Sequence, residues 1–274
     1  MDGTLLQGIL YKPENFDSTK KYPVLFQYYE KRSKELNLFI YPKASENEIN
    51  IPLFVSQGYL VFVPDIQYTI GEPGNSAFKS VISAARYLST KSWVDSTKMG
   101  LQGHSFGGFE TAYIVTHTNL FAAACSAAGI YDMVSFYASG SRANYPMYSA
   151  ERDQFRMGKS LWEMPQAYLE NSAILKADKV TTPLLLMHNK GDLNVPYGQG
   201  VEFFNSLRRL GKQVWMLQYD EGDHSVERGH DAEDYHKRMV QFFDYFLKGK
   251  PGPKWMAQGI PAKMKGVEDG FDYY

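Results

Sequence analysis

The stretch MGLQGHSFGGFETAYIVTH, residues 99–117, decides how the rest of the chain reads. Met99 to Leu101 is a short apolar run suited to a buried strand. Phe109 to Val115 has helical character and ends before His117. Between them lies Gly103-His104-Ser105-Phe106-Gly107-Gly108, so that Gly-x-Ser-x-Gly joins a strand to a helix. A serine in that position sits on a strained elbow that lifts its oxygen above the sheet as a nucleophile. Gly103 and Gly107 fit a close approach of helix and strand, where a β-carbon would collide. The N–H of Phe106 follows the serine at a helix N-terminus and faces the place where an oxyanion would form. The bare pattern also arises by chance. The strand–turn–helix setting is what carries the reading.

Outward from the elbow, strand-like and helix-like segments alternate. Leu5 to Tyr11 reads as an edge strand, PVLFQYYE (23–30) and YLVFVPD (59–65) as buried strands, and residues 31–50 as a charged loop with partial order. IPLFVSQ (51–57) reads as a short helix stopped by Gly58, and GEPGN (71–75) as a loop. In AFKSVISAARYLSTK (77–91) the apolar residues Phe78, Val81, Ile82, Ala85 and Leu88 fall at helical spacing. Beyond the elbow, FAAACSAAG (121–129), PLLLMHN (183–189) and QVWMLQYDE (213–221) are strands, while 201–211 and 233–249 are helices that end at glycines. The predicted fold is α/β, a mostly parallel sheet with helices on both faces, as in the α/β-hydrolases. Residues 1–250 form that domain. Residues 131–180, aromatic and Met-rich, are a cap-like, substrate-facing insertion, and the Gly/Pro-rich residues 251–274 drape over the surface.

Composition narrows the function classes. The 274 residues are 44% apolar, enough for a sizeable core, and 29 basic against 30 acidic residues leave a net charge of −1. That balance offers no electrostatic case for nucleic acid or an anionic membrane. The single cysteine, Cys125, lies in a small apolar run and reads as a buried core thiol. No apolar run approaches the ~20 residues of a membrane helix, so a soluble chain without membrane insertion is expected. The first residues, MDGTLLQG, lack the segments of a signal peptide. The start inside a strand-like run points to an isolated domain or a fragment of something longer.

A serine nucleophile needs a base within hydrogen-bond reach and a carboxylate to orient that base. In α/β-hydrolases the order along the chain is Ser, then Asp or Glu, then His, at the ends of later strands. PLLLMHNKGDLNVP (183–196) is a strand followed by Asp192, and VWMLQYDEGDHSV (214–226) is a strand followed by His224. Asp178, Asp220 and Asp223 are rival acids, but none follows the penultimate strand. His230 is the rival base, sharing a loop with His224. His104 is expected to point away from Ser105, and His188 to hydrogen-bond within its loop. Any single Asp or His in such loops is ordinarily a turn former or a solvated residue; their joint order argues otherwise. The histidines show no HxxxH or HxH spacing, so neither a metal nor another cofactor is expected.

At these residues the chain resembles the catalytic domain of the prolyl oligopeptidase family, in its dipeptidyl-peptidase branch. The similarity runs from about residue 2 to about residue 249 through DGTLLQGILYKPENFD, KKYPVLFQYYE, GYLVFVPDI, VDSTKMGLQGHSFGGFETAY, PLLLMHNKGDLNVP and the DHSV loop. The doubled glycine of GHSFGG is more typical of this family than of lipases; Phe106 stands where relatives have Tyr. The resemblance implies a second oxyanion donor, a tyrosine hydroxyl, at Tyr29 with Tyr28 as near rival. The usual Gly-Gly-Pro continuation is replaced by Glu30-Lys31-Arg32. Asp192-Leu193-Asn194-Val195 matches the branch's Asp-x-Asn-Val motif, which implies that Asn194 binds a substrate carbonyl and Val195 lines the specificity pocket. Phe136, Tyr137 and Tyr148 are the aromatic pocket candidates, with plain core packing as the alternative. Family members carry an N-terminal β-propeller that no segment here supplies, implying either a catalytic domain of a longer parent or a short relative working alone. Exported relatives would place such a parent in the periplasm or outside the cell. The expected function is a serine peptidase acting on short peptides, after Pro or Ala. A carboxylesterase and a non-catalytic peptide-binding module are the alternatives.

Overall fold

The computed structural model describes residues 3–140, 145–226 and 229–273. Seven strands form one sheet: β1 (Gly8–Tyr11), β2 (Tyr22–Gln27), β3 (Leu60–Pro64), β4 (Val94–His104), β5 (Ala123–Ala127), β6 (Leu184–Met187) and β7 (Val214–Leu217). Their order is β1-β3-β2-β4-β5-β6-β7, with β1 antiparallel to β3 and every other pairing parallel. Helices connect them: α1 (Ile51–Ser56), α2 (Pro73–Ser89), α3 (Phe106–Val115), α4 (Met133–Tyr137), α5 (Pro146–Glu151), α6 (Pro165–Glu170), α7 (Gly198–Arg209), α8 (His230–Lys248) and α9 (Lys254–Ala257).

The period-2 alternation of the strands distributes side chains between two cores. Val24 and Phe26 of β2, with Leu184 and Leu186 of β6, pack beneath α2, α3 and α7 through Val81, Ile114 and Phe203. Leu25 and Leu185 point to the opposite face, against Phe54 of α1 and Met239, Phe242 and Phe243 of α8. Both faces of the sheet are therefore covered, as a parallel sheet demands. Cys125 is fully buried in the second core.

Several boundaries differ from the sequence reading, each for a tertiary reason. Helix α2 begins at Pro73, inside the stretch read as a loop: proline at N1 has no N–H to lose. Asn171, nearly a hundred residues away, accepts the Gly74 N–H at 3.0 Å. Strand β2 stops at Gln27, which leaves Tyr28 and Tyr29 beyond its end. Helix α8 starts at His230 and stops at Gly249 in a left-handed cap, φ +66°. The 131–180 segment holds α4, α5 and α6 and a 3₁₀ turn at Ala173–Lys179, between β5 and β6. Its residues 141–144 lie outside the described residues. The C-terminal segment does more than drape. Trp255 is buried in the second core and donates its indole N–H to Gln241 Oε1 at 2.8 Å.

Candidate active site

The elbow is built by backbone collisions that glycine avoids. A Cβ on Gly103 would lie 2.1 Å from the Gly107 carbonyl oxygen, and one on Gly107 would lie 2.6 Å from that of Tyr28. With strand and helix that close, the residue between them must turn sharply, and Ser105 adopts φ 58°, ψ −115°. Its N–H is held by the Ala127 carbonyl at 2.8 Å. Among the described residues, positive φ occurs at three non-glycines, Ser105, Ala128 and Arg156. Ala128 follows the carbonyl that anchors the serine, and Arg156 packs its guanidinium over Tyr68 beside the site. Such strain persists where the surroundings over-determine the backbone.

Ser105, His224 and Asp192 arrive from the ends of β4, β7 and β6 and form one chain of hydrogen bonds. His224 Nε2 lies 2.8 Å from Ser105 Oγ, and His224 Nδ1 lies 2.9 Å from Asp192 Oδ2. Because the carboxylate can only accept, Nδ1 carries the proton and Nε2 is free to take one from the serine. The backbone N–H groups of Asn194 and Val195 donate to Asp192 Oδ1 at 2.9 and 2.8 Å. Burial by itself would raise the Asp192 pKa, but hydrogen bonds from His188, His224 and the Val195 N–H hold it well below the usual carboxylate range. Asp192 thus stays ionised behind His224. The rival His230 is exposed at the first turn of α8, its imidazole 3.6 Å from Asp231.

The two candidate oxyanion donors flank the serine. Phe106 is the first residue of α3, so its N–H has no intrahelical acceptor. Tyr29 packs its ring edge-on against Phe106, 6.2 Å between centroids. Burial raises the Tyr29 pKa, which hydrogen bonds with Gln154 and Ser105 only partly offset, so the phenol is neutral. Gln154 Nε2 donates to the Tyr29 hydroxyl at 2.9 Å, so the phenolic proton is not spent on Gln154. The rival Tyr28 is fully buried and bonds Thr111 Oγ1 at 2.8 Å inside the core.

Val195, Phe106 and Phe136 belong to one apolar cluster with Tyr137 and Phe155. Phe136 and Tyr137 are 1% and 2% exposed, so they are walls packed among neighbours rather than an open aromatic surface. The Tyr137 hydroxyl also bonds Glu151. Tyr148 is not brought to this cluster: it stands 58% exposed on α5, because that helix turns its other face, Ser149 and Ala150, inward. Asn194 sits beside Val195 in the loop after β6, anchored through its N–H to Asp192.

Several supporting residues escaped the sequence reading. His104 does not turn away from the site. Its Nε2–H donates to the His224 carbonyl at 2.7 Å and its ring lies 4.8 Å from the His224 ring. Burial, then the neighbouring His224, lower its pKa to about 4, so it is neutral. Asn189 donates to the carbonyls of Asp223 and Ser225, at 3.1 and 3.2 Å, and so fixes the loop that carries His224. Behind Tyr29, Tyr68 donates its single proton to the Tyr29 carbonyl at 2.9 Å. Glu110, fully buried on α3, bonds the same Tyr68 hydroxyl and must be the donor. Burial raises its pKa well above the ordinary value, which keeps that proton in place. None of these had a local signal, since each depends on a partner distant in sequence. Among the described residues no cluster of His, Cys, Asp and Glu is suited to hold a metal ion. No described helix is long and apolar enough to cross a membrane.

A cavity of about 430 Å³ opens beside Ser105 and His224, lined also by His104, Tyr29 and the charged segment that follows it.

Comparison with known proteins places this geometry. The profile of the prolyl oligopeptidase family matches residues 46–250. Dipeptidyl-peptidase 5 of Porphyromonas endodontalis is 25% identical over 261 residues, covering 89% of this chain and 36% of that protein. Among solved structures, dipeptidyl peptidase 4 of Porphyromonas gingivalis superposes with a TM-score of 0.74 at 23% identity, over 88% of this chain and 34% of that one. The acylaminoacyl peptidase of Pyrococcus horikoshii gives 0.70 at 22% identity, over 89% and 40%. The chain spans little more than a third of the length of curated relatives that it matches. The fold is that of the α/β-hydrolase domains of these peptidases, and with the family profile covering most of its length the chain belongs to the prolyl oligopeptidase family.

Proposed function

We propose that the chain is the catalytic domain of a serine peptidase that cleaves short peptides through an acyl-enzyme. The observation that carries this reading is the continuous path from Asp192 through His224 to Ser105, with contacts of 2.9 and 2.8 Å. Ser105 Oγ attacks the scissile carbonyl while His224 Nε2 takes its proton, and Asp192 stabilises the imidazolium that results. The Phe106 N–H and the Tyr29 hydroxyl bind the oxygen that becomes negative. His224 then gives its proton to the leaving amine as the C–N bond breaks. Water attacks the ester in the same manner and releases the acyl product.

The acyl side supports a small or cyclic apolar residue before the scissile bond. Phe106, Phe136 and Val195 are each at most 2% exposed and leave little room for a long side chain. Proline and alanine suit that wall, and Asn194, next to Val195 in the same loop, is the residue assigned to hold the preceding carbonyl. Similarity to a dipeptidyl-peptidase supports a peptide substrate.

Hydrolysis of Gly-Pro and Ala-Ala anilides, beside p-nitrophenyl butyrate, tests the reading. Turnover of the anilides falls by about 10⁶-fold in Ser105→Ala, with the thermal midpoint preserved. Serine-dependent cleavage of the ester alone would favour a carboxylesterase, and anilide turnover that survives Ser105→Ala would overturn the proposal.

A further inference from the structure

The surroundings of Ser105 differ in chemistry. Phe106, its neighbour in the chain, belongs to an apolar cluster with Phe136 and Val195. The cavity against Ser105 is instead walled by His224, His104, Asn47, Glu48 and the run Tyr29 to Glu35 without Ser33. His224 is the group that hands a proton to the departing amine, so a cavity that opens against His224 receives the leaving half of a substrate. At about 430 Å³ it falls within the size range of small-ligand sites.

The charges along this wall are unequally committed. Arg32 contacts both Glu35 and Glu48 at 2.8 Å, and Glu48 also accepts from Gln27 at 2.7 Å. Glu30 is held by Arg156 at 2.7 Å. Each carboxylate of the cavity wall therefore faces a guanidinium. Lys31 and Lys34 line the same cavity, are exposed, and make no ion pair among the described residues. An ammonium on a flexible four-carbon stem is suited to meet an anionic group whose distance varies by a residue.

Resting on the peptidase reading, we propose that Lys31 and Lys34 form a leaving-group subsite that takes the α-carboxylate of a departing group one or two residues long. The preferred substrates are then tri- and tetrapeptides with a free C-terminus, cut near that end. Long chains and amidated peptides lose the contact.

The test compares Gly-Pro-Ala-Ala with its C-terminal amide, reading kcat/KM for each. The free acid is cleaved faster by on the order of tenfold at low ionic strength, as two exposed ion pairs allow. The ratio of acid to amide falls towards one in the Lys31→Met, Lys34→Met double variant and at high salt. Reading a ratio within each protein removes any loss of folded enzyme. Equal rates for acid and amide in the unaltered protein, or a ratio the double variant does not move, would overturn the subsite. So would an equal gain from an Asp side chain in an amidated tetrapeptide, because the ligand would not be the chain terminus. Failure of the peptidase reading is recognised separately, by absence of anilide cleavage. In that event Ala-Ala, a product-like probe, still protects Ser105 from a fluorophosphonate more strongly than Ala-Ala amide if the subsite exists. Equal protection overturns it.

Discussion

The elbow at 99–115 and the insertion at 131–180 meet at Ser105 but are held there by different physics. In the elbow, steric exclusion between neighbouring backbone segments does the work. Gly103 faces Gly107, and Gly107 faces Tyr28, at separations that forbid a side chain. The insertion instead reaches the site through long-range side-chain contacts. Gln154 holds the Tyr29 hydroxyl, and Arg156 holds Glu30. The first kind of order has a short sequence signature because the constraint acts over a few residues. The second has none, because either partner could change if the other compensated.

The contrast can be broken most severely at Gly103. Gly103→Ala places a methyl 2.1 Å from a backbone oxygen that cannot swing away. The expected cost is about 4 kcal/mol or more, read as a loss of folded protein or a collapse of the urea midpoint. A variant that unfolds normally would show that the elbow can relax. Next in size is Tyr29→Phe, which removes the phenolic donor and should lower kcat by about 10²- to 10³-fold with little change in KM. Gln154→Leu, at the insertion's end of the same contact, is expected to lower kcat by only about tenfold, the scale of one hydrogen bond. An equal loss from both changes would mean that the insertion places the donor outright rather than orienting it.

The acid limb of stability sharpens the comparison from within the elbow. His104 has a folded pKa of about 4 against an ordinary value near 6.5. The folded state binds fewer protons between those values, so stability is intact above about pH 6.5 and falls as pH drops towards 4. The contribution is about 3 kcal/mol. Chemical unfolding of the unaltered protein and His104→Gln at pH 7 and pH 4 measures it: the variant shows the shallower decline. Parallel declines would place the acid sensitivity elsewhere.

Glu110 gives the smallest effect and the opposite sign. Its folded pKa is raised by burial, so its contribution is fully present below the unfolded value and is lost as pH rises towards the folded one. Glu110→Gln keeps a donor for Tyr68 without the titration. Its stability relative to the unaltered protein therefore rises between pH 4 and pH 8; a constant difference would show that Glu110 is ionised in the fold.

Legibility varied residue by residue for reasons that follow from this contrast. The alternation in β2 and the glycine stops after α7 and α8 were readable, since they report local periodicity and backbone conformation. The start of α2 at Pro73 was not, because the side chain of Asn171 stabilises its first turn from across the fold. Tyr29 and Tyr28 were adjacent rivals in the sequence. Their separation comes from where β2 ends: one ring meets Phe106 and the other meets Thr111. By composition Tyr148 is equivalent to Phe136, yet the rotation of α5 leaves it outside.

By itself the sequence determined the strand–turn–helix at Ser105, the alternating α/β order, and the appearance of Asp192 and His224 after later strands. Those features depend on spacing and on close backbone approaches that only glycine permits, which a linear string records. Tertiary structure alone decided that His104 would face His224, that Gln154 would donate to the Tyr29 hydroxyl, and that Lys31 and Lys34 would border the cavity beside the nucleophile. Those outcomes depend on which distant surfaces meet when both faces of the sheet are buried, and proximity of that kind has no spacing to read.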